Sequence, residues 1–543
     1  MPTLRWLTRD EDVRAAGKVP YRLLEEDASL GCGDRDSSNM LIHGDNLEAL
    51  TALLPYYAGQ VKCIYIDPPF NTGQAFEHYD DNMEHSLWMG LMYSRLELLH
   101  ELLSEDGTIA VHLDDEELAY AMVLMDEIFG RKNRLNLCTF KQSSVSGPKA
   151  INPGVVSISS YIICFAKNKP KWKSYKAFRP RERDSRYTKF IMKRDDENVE
   201  NWSVVSLAEA LEMHFGATVK ELKKKFNVNY EKKVAEFVIQ NRACVIRTAR
   251  VKEKDISEDA RPALRASANM PGTFFEAKRP GNISQYFLNG EQVAFYASKI
   301  QEIDGKHCTA ERVSDMWDDL LSNNLHKEGG VSFPKGKKPE ALVRRVFELY
   351  SKPGDLVLDS FLGSGTTAAV AHKMERRYIG IEMGDHAVTH CAPRLKRVID
   401  GEQDGISKSV GWSGGGGFRF YRLGPPAFDE QGHIRSDIHF RVLAAHVWFS
   451  ETNYPWDRNT KSPLLGVHDG RAYALLYNGI LRDKSVNGGN VLTRKTLDAI
   501  RDAMGKFDGP VTVYGERTAL SESTLKAQRV TFKQTPYDVK ARR

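Results

Sequence analysis

The segment Val357-Leu358-Asp359-Ser360-Phe361-Leu362-Gly363-Ser364-Gly365-Thr366-Thr367 decides the fold prediction. An apolar strand at residues 355–359 leads into this glycine loop, and a helix at residues 368–374 follows it directly. Glycines allow a ligand to approach the backbone closely, and the first N–H groups of the helix point toward the same place. Another strand, at residues 378–382, ends in Glu382. The segment therefore predicts a strand–turn–helix–strand unit that binds a ligand at its glycine loop.

Two features of this unit indicate the class of ligand. The Glu382 carboxylate stands about 20 residues beyond the loop, where it can accept hydrogen bonds from both hydroxyls of a ribose. The loop lacks the Gly-Lys-Ser/Thr ending that grips the β- and γ-phosphates of a nucleoside triphosphate. A nucleoside cofactor without a triphosphate therefore fits, although a lone Gly-x-Gly is also typical of a structural turn.

A second motif, Asp67-Pro68-Pro69-Phe70, ends the apolar strand at residues 61–66. An aromatic amine is a poor nucleophile because its lone pair is delocalised into the ring. The Asp67 carboxylate and the Pro68 carbonyl can each accept one N–H and so aim the lone pair at a methyl donor. The two prolines stiffen the loop, and Phe70 offers a ring on which an extruded base can stack. This reaction needs no metal, and we expect none.

Strands alternate with helices up to residue 170 and again after Pro339, which predicts a doubly wound, Rossmann-like α/β sheet. Charge runs and isolated helical patches interrupt the pattern between these two stretches, and a glycine run at residues 414–417 follows the second. We predict four parts: residues 1–170 and 331–405 form the two halves of the core, residues 171–330 form an inserted domain, and residues 406–543 form a small C-terminal α/β domain.

The composition excludes some classes of protein. Of the 543 residues, 41% are hydrophobic and 27% are charged, as in soluble globular proteins, and no apolar run approaches the roughly 18 residues of a membrane helix. The charged first residues contain no secretory pattern. The seven cysteines stand singly, without zinc-ligand spacing, so we expect reduced thiols and a cytoplasmic protein. A net charge of +5 says little about partners on a chain of this length.

The local distribution of charge is more informative. Ten Lys or Arg residues stand between Lys171 and Arg194 against two acidic residues, and aromatic residues are interleaved with them. Such a mixture suits a nucleic-acid backbone whose bases stack on the rings, and it is equally typical of a solvated charged face. The candidate nucleic-acid-binding residues are Lys171, Lys173, Lys176, Arg179, Arg181, Arg183 and Arg186.

Together these motifs resemble the β class of DNA amino-methyltransferases, in which DPPF precedes a target-recognition insert and FLGSGTT follows it. Further stretches are similar to the methyltransferase subunits of type III restriction systems: LIHGDNLEAL, IDPPFNTG, DGTIAVHLDDEELA, MDEIFGRKN and FPKGKKPEALVRRV. The resemblance covers residues 38–170 and 331–400.

The resemblance implies a circularly permuted methyltransferase sheet, S-adenosylmethionine as cofactor and adenine N6 in double-stranded DNA as target. By it, Asp67, Pro68, Pro69 and Phe70 are catalytic. The residues implied to line the cofactor site are Asp359, Phe361, Gly363, Ser364, Gly365, Thr366, Thr367 and Glu382, with Asp45, Lys338 and Pro339 beside them. On the residues alone, Asp45 is also a candidate helix N-cap and Lys338 a candidate solvated lysine.

Phe70 stands where the family more often has Tyr, so that stacking is kept and a hydroxyl is lost. Asp67 is similar to adenine-N6 enzymes, whereas cytosine-N4 enzymes usually have Ser there. The alternatives are a cytosine-N4 or RNA amino-methyltransferase and a non-catalytic DNA-binding scaffold; the intact motifs argue against the scaffold.

The resemblance also bears on protein partners and on the end of the chain. It implies two candidate partners, a helicase-nuclease restriction subunit and a second copy of the chain, while a solitary enzyme would share the same motifs. The C-terminal part, with GGGGFRFYRLG and TPYDVKARR, is similar to type III tails. Its role and the recognition sequence stay open.

Overall fold

A computed structural model describes residues 3–71, 84–144, 154–279, 281, 283–321, 325–333, 336–427, 435, 438–456, 462–477, 480–481 and 488–535. The strands, in chain order, are β1 (Arg22–Glu26), β2 (Cys32–Gly33), β3 (Met40–His43), β4 (Val61–Ile66), β5 (Leu103–Leu113), β6 (Arg134–Lys141), β7 (Ser159–Ala166), β8 (Phe178–Pro180), β9 (Lys189–Met192), β10 (Ser203–Ser206), β11 (Val245–Ala249), β12 (Phe274–Ala277), β13 (Gln285–Leu288), β14 (Glu291–Phe295), β15 (Ile300–Ile303), β16 (Lys306–Arg312), β17 (Met316–Trp317), β18 (Leu356–Asp359), β19 (Arg377–Glu382), β20 (Gly417–Pro426), β21 (Leu464–His468), β22 (Arg471–Leu475), β23 (Val491–Leu492), β24 (Val511–Gly515), β25 (Arg517–Thr518) and β26 (Val530–Gln534). The helices are α1 (Arg9–Asp12), α2 (Ala15–Lys18), α3 (Asn46–Tyr57), α4 (His85–Leu102), α5 (Asp115–Met125), α6 (Leu207–Phe215), α7 (Val219–Phe226), α8 (Tyr230–Gln240), α9 (Arg261–Asn269), α10 (Glu340–Tyr350), α11 (Thr366–Lys373), α12 (Ala392–Ile399), α13 (Ser407–Val410), α14 (Phe440–Thr452), α15 (Arg494–Met504) and α16 (Glu522–Ala527).

The central sheet has the strand order β1-β20-β3-β19-β18-β4-β5-β7-β6-β17, with β2 paired to β20. The six strands from β20 to β5 run parallel to one another, and β7 runs antiparallel to both of its neighbours. Strands β4 and β18 are wholly buried in the middle, as apolar runs in a parallel sheet are. The carboxyl ends of β3, β19, β18 and β4 therefore lie side by side.

Helices cover both faces of this sheet. Ile64 and Ile66 of β4 point into an apolar core that also contains residues of α3, α4 and α5. Cys63 and Tyr65 alternate with them, so they point to the opposite face, and α10 contacts β4. The predicted doubly wound α/β fold is confirmed. Strands β18 and β19, from the second half of the core, lie between β3 and β4 from the first half.

Two elements of the sheet differ from the sequence prediction. Strand β20 lies in the central sheet beside β3, although its residues were assigned to a separate C-terminal domain beginning at 406. Strand β6 was not predicted: its polar and apolar residues alternate except at Leu137 and Cys138, and its first four residues are partly or fully exposed. Pairing with β3, which is far away in the sequence, places β20 in the central sheet.

Residues Lys176–Val313 form a separate compact unit. It contains a six-stranded sheet of order β10-β9-β11-β14-β13-β12, a three-stranded sheet of order β15-β16-β8, and helices α6 to α9. The unit is shorter than the predicted insert of residues 171–330. Trp172 donates a hydrogen bond to Thr108 Oγ1 and Met316–Trp317 pairs with β6, so both flanking segments belong to the larger unit.

The C-terminal residues add a four-stranded sheet of order β21-β22-β24-β26 to the larger unit. The apolar core of this sheet includes Leu497 and Ile500 of α15. None of the seven cysteines forms a disulfide, and no helix among the described ranges is long and apolar enough to span a membrane.

Candidate active site

The glycine loop between β18 and α11 has a backbone that favours glycine. Gly363 and Gly365 have φ angles of 55° and 81°, a region that side-chain-bearing residues rarely adopt. A Cβ on Gly365 would lie 3.2 Å from Cys391 Cα. Gly365 is also the N-cap of α11, so the first N–H groups of that helix border the loop. The loop can thus admit a ligand close to its backbone.

Glu382 ends β19 and lies against the same loop. Its Oε2 accepts a hydrogen bond from the Gly363 N–H at 2.7 Å, and its Oε1 accepts from the Gly384 N–H at 3.1 Å and lies 2.9 Å from His386 Nε2. Burial raises the pKa of the Glu382 carboxyl, but these hydrogen bonds outweigh it and hold the pKa below its ordinary value. Glu382 is therefore an ionised acceptor of fixed orientation.

Asp359 ends β18, next to β4 and β19. The pKa of its carboxyl is raised to about 7, chiefly by burial. Hydrogen bonds from Thr367 and the Phe361 N–H lower it in part, and the nearby Asp67 and Glu382 carboxylates add to the rise. A carboxyl whose pKa lies near neutrality can either donate or accept a hydrogen bond at the loop.

Asp67 follows β4, and its carboxylate binds Lys338. The Lys338 Nζ lies 2.5 Å from Asp67 Oδ2 and 4.5 Å from the centre of the Phe70 ring. The Lys338 and Asp67 side chains are each 17% exposed, so this ion pair opens to the solvent at the cavity. The ammonium of Lys338 thus contacts the DPPF motif, while its carbonyl accepts a hydrogen bond from Thr366 Oγ1 at 3.4 Å. The predicted place of Lys338 beside a cofactor stays a prediction.

Hydrogen bonds with two buried side chains, those of Trp88 and Glu117, hold the DPPF loop in place. The wholly buried Trp88 donates a hydrogen bond to the Pro69 carbonyl at 2.9 Å. Asn71, directly after the motif, donates to Glu117 Oε1 at 2.6 Å. Because Glu117 is itself fully buried at the start of α5, the loop is tied to the helix that follows β5.

His112, on β5, lies behind Asp67 and was missed by the sequence prediction. Its Nδ1 is 2.8 Å from the Tyr65 hydroxyl and 3.9 Å from Asp67 Oδ1, and its Nε2 is 2.7 Å from the Ser160 hydroxyl. Burial, assisted by the charge of Lys338, holds the pKa of His112 well below its ordinary value. His112 is therefore a neutral ring, 5.6 Å from the Phe70 ring, that supports the motif.

One cavity joins the two motifs. The predicted site residues that line it are Asp67, Pro68, Pro69, Phe70, Lys338, Asp359, Phe361, Gly363, Ser364, Thr366 and Thr367. Tyr65, Phe333, Gly336 and Leu362 complete the lining and were not predicted. A bound molecule could therefore touch the DPPF motif at one end and the glycine loop at the other.

Four predicted residues lie around this cavity rather than on it. Gly365 and Glu382 shape the loop as described above. Pro339 is the N-cap residue of α10. Asp45 is the N-cap of α3, where its Oδ1 accepts from the Leu47 and Glu48 N–H groups, and its Oδ2 pairs with buried Arg95 at 3.1 Å. The structure therefore agrees with the interpretation of Asp45 as a helix N-cap.

A buried ion cluster lies beneath the glycine loop. Glu340 pairs with Arg394 at 2.8 Å and with Lys373 at 2.7 Å, and all three side chains are fully buried. Arg394 also donates to Thr366 Oγ1 at 2.7 Å. The cluster thus connects α10, α11 and α12 to the loop. The only signal for it in the sequence was the set of charged residues on otherwise apolar helix faces.

The predicted nucleic-acid-binding residues are mostly paired within the protein. Arg179 and Arg181 bind Glu311, Arg183 lies 3.6 Å from Glu231, Arg186 binds Asp184, and Lys171 binds Glu105. Lys173 and Lys176 are exposed and form no ion pair with the part of the chain that the structure describes.

The interleaved aromatic residues are not generally available for stacking. Tyr187 is buried against Tyr296, and Phe190 stacks on Phe237. For these two rings the expectation of base stacking is wrong, because they form the core of the compact unit.

The model of one family, described as DNA methylase (N6_N4_Mtase), matches residues 61–392. The probable type III restriction-modification enzyme HindVI Mod subunit of Haemophilus influenzae is 36% identical over 411 residues, which are 72% of this chain and 54% of that protein. The type III restriction-modification enzyme EcoP15I Mod subunit of Escherichia coli is 32% identical over 32% of each chain. The type II methyltransferase M.EcaI of Enterobacter cloacae is 27% identical over 63% of this chain and 66% of its own length. The chain thus spans about half the length of the first relative and about a third of the second.

Proposed function

The chain belongs to the N6/N4 DNA methylase family, and from that premise we propose that it is a site-specific DNA methyltransferase acting on adenine N6 in double-stranded DNA. The observation that carries the proposal is the single cavity lined by Asp67 and Phe70 at one end and by Gly363 and Thr366 at the other. This cavity would hold the methyl acceptor and the methyl donor in contact.

The residues present fit S-adenosylmethionine as the cofactor. Gly363 and Gly365 give a loop open to close approach, and the ionised Glu382 beside it suits the two hydroxyls of a ribose. The Phe361 ring borders the same space and suits an adenine ring. When bound, this cofactor supplies an electrophilic methyl group on a sulfonium.

The Asp67 carboxylate and the Pro68 carbonyl would accept the two N–H groups of the target amine and direct its lone pair toward the cofactor loop. Lys338 donates to the Asp67 carboxylate, and its ammonium would have to leave the face of Phe70 for a base to stack there. Trp88 and neutral His112 hold the DPPF motif rigid while the base binds. Such preorganisation favours transfer because few groups have to reorient.

The same premise extends to partners. We propose a helicase-nuclease restriction subunit as partner, which agrees with the type III Mod subunits among the relatives. A homodimer, a cytoplasmic location and DNA contacts by the exposed Lys173 and Lys176 stay predictions.

The test is transfer of labelled methyl from S-adenosylmethionine to unmethylated bacterial DNA, followed by identification of the product nucleoside. N6-methyladenine is the expected product. N4-methylcytosine would replace the adenine assignment by the cytosine alternative. No incorporation by protein that binds both cofactor and DNA would contradict the proposed activity.

A further inference from the structure

The turn between α7 and α8 forms a cleft in the compact unit Lys176–Val313. Its lining residues are Lys225, Phe226, Asn229, Lys232, Lys233 and Glu236. We propose that this cleft, here called the lysine cleft, binds phosphate groups of the DNA backbone. The proposal rests on the proposed DNA substrate and names the residues that meet it.

The charge of the lysine cleft is available to a partner. Lys233 binds Glu236 at 2.7 Å, so the carboxylate of the cleft is already neutralised. Lys225 and Lys232 are exposed, and neither forms an ion pair with any residue that the structure describes. Exposed Lys223 and Lys224 add further positive charge on α7. Three lysines and one glutamate line the cleft, which therefore carries a net positive charge.

Helix stability does not explain this arrangement. Lys225 stands in the last turn of α7, where a cation is favoured by the helix dipole. Lys232, in contrast, is the third residue of α8, where the same dipole disfavours a cation. One lysine at a helix C-terminus and one at a helix N-terminus thus converge on the same cleft. An anion bound between them explains why a lysine stands at each position.

The chemistry of the cleft suits phosphate better than bases. Ammonium groups and the Asn229 side-chain amide are donors that commonly contact phosphate oxygens and carry no sequence information. Phe226 is the one aromatic ring of the lining and is half-buried. The earlier candidates Arg179, Arg181 and Arg186 pair with acidic residues, so the lysine cleft is the better source of backbone contacts.

The experiment measures binding of the full chain to duplex DNA by fluorescence anisotropy over a series of salt concentrations. The variant Lys225→Gln/Lys232→Gln removes two charges. The matched control is Lys252→Gln/Lys254→Gln, which removes two charges from exposed lysines of the same unit. For two lost phosphate contacts, the slope of log affinity against log salt should decrease in magnitude by about 2 in the variant. Affinity at low salt should fall at least tenfold, equally for a substrate and an unrelated duplex.

A wild-type slope in the variant, or the same decrease in the control, would overturn the proposal. An unfolded fraction that is constant over the salt series lowers the apparent affinity but leaves the slope unchanged; circular dichroism at each salt concentration checks that it is constant. If wild-type protein methylates and binds DNA while the variant keeps the wild-type slope, only the lysine cleft is wrong. If the wild-type protein binds no duplex, the proposed function fails with it.

Discussion

Replacement of Glu340 by Gln should destabilise the core and the glycine loop together. The Glu340 carboxylate accepts hydrogen bonds from Arg394 at 2.8 Å, from Lys373 at 2.7 Å and from the Ile406 N–H at 3.1 Å. Gln keeps the shape of this side chain but removes its charge. Two buried cations would then lose the carboxylate that they share.

The expected magnitude follows from burial. The side chains of Glu340, Arg394 and Lys373 are all fully buried, and removal of one partner from a buried ion pair costs about 3–5 kcal/mol. Lys373 also pairs with Glu402, which compensates part of the loss. We therefore expect the free energy of unfolding to fall by about 3 kcal/mol.

The assay is urea unfolding of the ligand-free protein, with Glu348→Gln as the matched control. Glu348 lies on the same helix and pairs with Arg344 at 2.7 Å, but its side chain is 33% exposed. Loss of such a partly exposed ion pair should lower the free energy of unfolding by less than about 1 kcal/mol. Equal losses in the two variants would refute the argument from burial.

Glu340→Gln should also weaken binding of S-adenosylmethionine, because Arg394 supports Thr366 in the loop.

Three further predictions concern the site. The pKa of Asp359 is about 7 in the folded protein and ordinarily 3.8, so its ionisation reduces stability progressively between about pH 4 and 7. Between pH 5 and 8, the unfolding free energy of Asp359→Asn, measured in urea, should therefore rise by roughly 3 kcal/mol relative to that of the wild type. A difference that stays constant with pH would contradict the raised pKa. Gly365→Ala forces a side chain into left-handed backbone 3.2 Å from Cys391 Cα, so calorimetry should show cofactor affinity at least tenfold weaker, and wild-type affinity would exclude this constraint. Phe70→Ala loses a stacking surface worth about 1–3 kcal/mol per base, so kcat/KM for methyl transfer should fall about 5- to 150-fold. Phe70→Tyr should stay near wild type, and equal loss in both variants would argue against stacking.

Much of the site was predictable because its residues follow buried strands. Asp67 and Asp359 stand at the ends of apolar runs, and the carboxyl ends of neighbouring parallel strands meet at one edge of a sheet. The local pattern of each motif therefore sufficed to bring them together. The close approach that the loop permits was also predictable, since glycine is the residue that most readily adopts the positive φ found at Gly363 and Gly365.

Long-range partners were not predictable. Lys338 is 271 residues from Asp67 along the chain, and no periodicity indicates that its ammonium reaches the carboxylate. His112 is a single residue inside a strand, and only its position behind Asp67 makes it part of the site. Arg179 appeared as free positive charge because its partner Glu311 is 132 residues away. Composition counts charges, whereas the fold determines which of them are neutralised.

The most direct test of the central claim separates binding from chemistry in the variant Asp67→Asn. Asn keeps the size of the side chain, but its uncharged amide is a weaker acceptor for the N–H of the target amine. In single-turnover methyl transfer with labelled S-adenosylmethionine, we expect a rate at least 100-fold below wild type, with cofactor and DNA affinities within about threefold. Wild-type transfer by this variant would contradict the assignment of Asp67 as the group that activates the amine.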